Sequence, residues 1–223
     1  MSSGRDEASA RGRARVTHGD LLLTLAAAAY IALVAAIELF GLGLSPAELG
    51  SSPDTLVRGE VWHLLTSSLL VDGEVPLLQV ALLAAVTTAV ILRHGPRVWW
   101  AAALLGHVGS ALLAYAAIGI AITLGNDAAD LISDDWDYGV SCVMAAQFGV
   151  LFAGAVLRMR RAGRRDPLDL LFVAAACVAL AAWLATIDWY GIEHPLAFAI
   201  GIAVLGVAER RAGAARTAAP RCA

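Results

Sequence analysis

Ser141 is the residue best placed to do chemistry. It sits in the run Tyr138-Gly139-Val140-Ser141-Cys142-Val143-Met144-Ala145-Ala146-Gln147-Phe148-Gly149, with small and apolar neighbours on both sides. A serine hydroxyl becomes a useful nucleophile when a base removes its proton, and a neutral imidazole is the usual base. His194, at the opening of the last apolar stretch, is the candidate base. A serine in the first turn of a helix also lies beside backbone N–H groups without helical partners, at the positive end of the dipole, where an oxyanion would be held. Gly139 permits close approach of backbone or substrate, and Gly149 allows a neighbouring helix to pack tightly. The same serine also fits plain helix packing, so the chemistry depends on His194 reaching it.

Composition sets the frame for that encounter. Of 223 residues, 59% are hydrophobic and 16% charged, a balance for membrane rather than water. Apolar stretches of about 20 residues suffice to cross a hydrocarbon core of about 30 Å. Residues 1–17 read as a disordered basic tail and Asp20–Gly41 as the first span. The segment from Leu42 to Val75 is too polar to cross and reads as short interfacial helices, in which Trp62 is favoured. Further spans are expected over Pro76–Leu92, Val98–Leu124, Tyr138–Leu157, Leu168–Ile187 and His194–Val207, with residues 210–223 as a second tail. The sequence therefore predicts an all-α, polytopic membrane domain of six helices over residues 18–209.

All sixteen basic residues are arginine. Fifteen lie in the tails or in the loops after the second and fourth spans, and Arg58 alone falls elsewhere. Arginine beside a span stays on the cytoplasmic side, so both termini are expected inside and the acidic loop Gly125–Asp137 outside. The fourth and sixth spans then both enter from the outer face, bringing Ser141 and His194 to a similar shallow depth. The acidic loop reads as a solvated segment, because Asp127, Asp130, Asp134, Asp135 and Asp137 lack the spacing of a calcium loop. Cys142, Cys177 and Cys222 read as two buried hydrophobes and one loose thiol. No metal, cofactor or nucleic-acid partner is indicated. His107, in the middle of the third span, is expected to face the bundle interior near Ser110.

This arrangement resembles the rhomboid family of intramembrane serine proteases. Gly139-Val140-Ser141-Cys142 with Gly149 is similar to the family's Gly-x-Ser-Gly segment and its later packing glycine. His194 with Gly201 is similar to its last-helix pattern, and Gly59-Glu60-Val61-Trp62-His63-Leu64-Leu65-Thr66 to its first-loop Gly-x-x-Trp-Arg-x-x-Thr run. The resemblance spans about residues 20–209. It implies a six-helix rhomboid bundle in a bacterial plasma membrane, with Ser141 as nucleophile and His194 as general base. The implied substrates are transmembrane or membrane-near segments of other proteins, admitted laterally from the bilayer. Cys142 stands where the family has a second glycine, Glu193 and Ala197 where it has alanine and glycine. Its second-span His-x-x-x-Asn pair has no counterpart, which leaves Gln79 as the available amide. Gly139, Cys142 and Gln79 are thus the candidates for supporting the oxyanion site. Pro195 predicts an extended His194 just before the last helix.

Two other classes fit the sequence. One is a rhomboid-like protein that binds client helices without cleaving them. The other is a transporter, for which His107 and a few threonines offer the only midplane polarity, with no inverted repeat.

Overall fold

A computed structural model describes residues 17–42, 44–71, 73, 75–185 and 188–218. The expected basic tail over residues 1–16 lies outside these, as do Cys222 and the end of the second tail. The described chain is helical, with one isolated bridge between Ser51 and Asp137. The long helices are α1 (His18–Phe40), α5 (Pro76–His94), α6 (Pro96–Thr123), α8 (Ser141–Ala162), α9 (Pro167–Ala185) and α10 (Glu193–Ala218). Between them lie the short helices α2 (Pro46–Leu49), α3 (Pro53–Val57), α4 (His63–Thr66) and α7 (Asp127–Leu131), and a 3-10 turn over Ser67–Leu69.

Local signals set these boundaries. Thr17 caps α1, its hydroxyl accepting from the Asp20 amide at 3.1 Å while Asp20 accepts from the Thr17 amide at 3.3 Å. This capping box orders a residue that the sequence places in the tail. Pro76, Pro96 and Pro167 each stand at the first position of a long helix, where the missing N–H loses no bond. α8 stops at Gly163, whose φ of 61° ends the helix in a left-handed turn. At the other end of the chain α10 runs on through residues 210–218, which the sequence reads as tail.

Among the described residues five helices, α1, α5, α6, α8 and α9, are long and apolar enough to cross a membrane. α10 has an apolar stretch from His194 to Ala208, then Glu209, Arg210 and Arg211, so it is shorter in apolar length than its 26 residues suggest. Exposed Leu21, Leu22, Leu77, Leu78, Leu171 and Val178 put large apolar side chains on the outer faces of α1, α5 and α9, as a lipid solvent requires.

α8 is the central helix, with α6, α9 and α10 packed on it and α1 and α5 completing the bundle. Ala146 is its crossing point. A Cβ on Gly106 of α6 would collide with the Ala146 side chain, and one on Gly201 of α10 with the Ala146 carbonyl. A Cβ on Gly149 would likewise meet the Phe198 carbonyl of α10. These three glycines let backbones touch, which side chains of any size would prevent. Gly149 thus packs as expected from the sequence, and Gly201 is its counterpart across the contact.

Ion pairs hold several arginines at one end of the bundle. Arg97 meets Asp20 at 3.0 Å, and Arg161 meets Glu209 at 2.8 Å. Asp169 of α9, 4% exposed, accepts from Arg93 of α5 and from Arg158 of α8, each at 2.7 Å. The Arg93 guanidinium also lies 4.5 Å from the centroid of the Phe172 ring. At the opposite end the connecting segments knit together. Ser51 and Asp137 exchange backbone hydrogen bonds at 2.9 and 2.7 Å, and Tyr190 donates to the Ile132 carbonyl at 2.7 Å.

Candidate active site

Ser141 is the first residue of α8, and no side chain caps this helix. Its first-turn amides therefore keep their orphan donors. The chain reaches it through Gly139, whose φ of 133° is open to glycine and strained for other residues. The Gly139 N–H donates to the Ser67 carbonyl at 2.9 Å. Gly139 therefore fixes the approach to α8, with its own donor already spent.

His194 is the second residue of α10, inside the helix and not before it as Pro195 suggests. Glu193 takes the first helical position, and Pro195 then occupies the third, where its lack of an N–H is still harmless. The imidazole stacks on Trp183 of α9, ring centroids 5.3 Å apart and planes 10° from parallel. Its Nδ1 lies 3.3 Å from the Gly191 carbonyl oxygen. An Nδ1–H donating there leaves Nε2 with its lone pair, the tautomer a general base needs.

Ser141 and His194 line one cleft of about 810 Å³. Among the described residues no hydrogen bond joins them. Gln79 and Leu82 of α5 contribute to the same cleft, as do Val178, Ala182 and Trp183 of α9. The structure thus brings all five candidate residues, Ser141, His194, Gly139, Gln79 and Cys142, to one space. The Cys142 thiol is buried there and donates to Glu193 Oε2 at 3.6 Å. That contact holds the sulfur against α10, away from the role of a free obstacle over the first-turn amides.

His107 faces inward, as the sequence suggests. Its Nε2 is 3.0 Å from the Ser67 hydroxyl, and Ser110 donates to the His107 carbonyl at 3.1 Å. Ser67 is fully buried, so this serine–histidine pair braces α6 against the 3-10 turn whose Ser67 carbonyl holds Gly139.

The sequence does not reveal the acidic side of the site. Asp137, expected to be solvated, is half-buried and accepts from the Tyr115 hydroxyl at 2.9 Å. Burial pushes its carboxyl above the usual carboxylate range, against the lowering effect of hydrogen bonds to Tyr115 and Glu193. Burial raises the Tyr190 hydroxyl as well, helped by the charge of Asp137. Glu193, expected in a turn, is 1% exposed. The one available signal is position: each carboxylate directly abuts an apolar stretch, Asp137 before Tyr138 and Glu193 before His194.

Compared with known protein families and with curated proteins, the chain matches none.

Proposed function

We propose that this chain is an intramembrane serine endopeptidase of rhomboid type, with Ser141 as nucleophile and His194 as general base. The observation that carries the reading is the shared cleft. Two helix heads, locked by backbone contact at Gly149 and Gly201, present a serine and a neutral-capable imidazole to one space beside uncapped amides. In this reading His194 Nε2 takes the Ser141 proton, Ser141 Oγ attacks a substrate carbonyl, and the first-turn amides of α8 hold the oxyanion. Gln79 adds an amide from α5. The imidazolium then protonates the leaving amine, and water hydrolyses the acyl-enzyme by the reverse transfers.

The same reading makes α10 the sixth span and places both termini in the cytoplasm, so that the cleft opens at the outer face of a bacterial plasma membrane. Substrates are transmembrane segments of other proteins, entering between α5 and α9, both of which line the cleft. A fluorophosphonate probe on the purified full chain tests the mechanism. Ser141 is expected to be labelled, and Ser141→Ala and His194→Ala to lose the label; labelling that persists in Ser141→Ala defeats it.

One observation favours a second reading, a client-binding protein that does not cleave. His194 is engaged by Trp183 and Gly191 and makes no hydrogen bond to Ser141. Unlabelled protein that still captures transmembrane peptides in bilayers would select it.

A further inference from the structure

Five elements converge at one wall of the cleft. The Ser51 hydroxyl, between α2 and α3, is 2.8 Å from the Tyr115 hydroxyl of α6, which donates to Asp137 Oδ2 at 2.9 Å. Asp137, in the loop before α8, is backbone-paired to Ser51 and lines one cleft with Glu193 of α10, the two carboxyls close enough to interact. Glu193 Oε2 accepts from Cys142 of α8. Glu193 Oε1, buried, has no donor among the described residues.

Two ionised carboxylates only accept, so they cannot hydrogen-bond each other. One proton between them supplies the missing donor and removes the repulsion of like charges. Tyr115 on α6, Cys142 on α8 and Tyr190 in the turn before α10 are neutral or become negative on titration, and Asp134, Asp135 and Asp188 add negative charge. His107 and His194 line the same cleft, and no arginine does among the described residues.

We propose that Asp137 and Glu193 share a single proton and act as a positioning pair, holding the heads of α8 and α10 so that Ser141 and His194 face one space. The covalent geometry makes the coupling short. Cys142 follows Ser141, Glu193 precedes His194, and Asp137 lies four residues before Ser141 across the pinned Gly139. Losing the proton leaves two buried negative charges that drive the loop and the α10 head apart. The catalytic half of this inference rests on the serine-hydrolase reading, whereas the shared proton does not.

Infrared spectroscopy of the full chain in proteoliposomes reads the proton directly. At neutral pH the C=O stretch of a protonated carboxyl is expected in the wild type. It should vanish in Glu193→Gln and in Asp137→Asn, where the new amide donates to the remaining carboxylate. No such band, or a band that both variants keep, overturns the shared proton. Fluorophosphonate labelling against pH reads the positioning. The wild-type labelling rate is expected to fall about tenfold per pH unit once the pair ionises. Glu193→Gln should lose this alkaline fall, and Glu193→Ala should lose labelling. An alkaline fall unchanged in Glu193→Gln overturns the positioning role. A wild type that carries the band yet is never labelled refutes the serine hydrolase and upholds the proton pair.

Discussion

Cys142 Sγ lies 3.6 Å from Glu193 Oε2, joining the first turn of α8 to the first turn of α10. These are two of the positions at which the chain departs from the rhomboid pattern, so the departures are partners in space. The first expectation concerns their coupling. Cys142→Gly restores the pattern locally but strands a buried acceptor, at a cost of about 1–3 kcal/mol. Glu193→Ala leaves the thiol unpartnered. The double variant removes both groups and should be more stable than the sum of the singles predicts, by about 1 kcal/mol in a double-mutant cycle. Strict additivity would show that the contact carries no energy.

Gly201 provides the second. A methyl group there points at the Ala146 carbonyl, which belongs to helix backbone and cannot swing aside. Gly201→Ala should therefore destabilise the bundle by about 1–3 kcal/mol or more, read by unfolding in mixed micelles. Gly206→Ala is the control on the same helix, because a Cβ there meets nothing within 4 Å. Equal effects of the two would mean that α8 and α10 do not cross this closely.

The third tests orientation. Cysteines placed singly at Ser133 and Gly163 in a cysteine-free chain lie at the acidic and basic ends of the bundle. On intact cells an impermeant thiol reagent should label position 133 and spare position 163. The reverse pattern would invert the topology and move the cleft to the cytoplasmic face.

The fourth is a stability profile. Because burial raises the Asp137 carboxyl, the native state keeps its proton to higher pH than the unfolded chain does. The stabilisation is fully present below the ordinary carboxylate pKa of about 4, and is lost as pH rises through the folded-state value, at about 1.4 kcal/mol per unit. Melting in detergent should accordingly fall from mildly acidic to alkaline pH, and Asp137→Asn should flatten the slope. A profile that rises with pH would reverse the assignment.

Apolar length made the long helices legible in advance, since a stretch of about 20 residues without charge has few alternatives. Gly149 was legible for a similar reason, because glycine in an apolar helix is retained where backbones meet. The acid pair was not. Asp137 and Glu193 read as ends of polar loops, and only the fold shows that Tyr115, far away in sequence, turns one of them inward. The structure starts α10 two residues earlier than Pro195 suggests, because proline at the third helical residue is as acceptable as at the first, and the sequence offers no way to choose. Cys142 reads as a small buried hydrophobe, and only the fold supplies the acceptor for its thiol, on another helix.

The clasp at Asp169 gives the cleft a mechanical character. It joins α5 to α9 at the basic end through Arg93, while Leu82 and Trp183 border the open space at the other end. The two helices are arranged like the arms of forceps, joined at the base. Trp183 stands about 14 residues, roughly 21 Å, along α9 from that joint. A swing of about 10° would move it by about 4 Å, and the Asp169 pivot would scarcely stir. Since the His194 ring rests on the Trp183 ring, a modest tilt of this one arm would both widen the mouth and release the imidazole from its stacked seat.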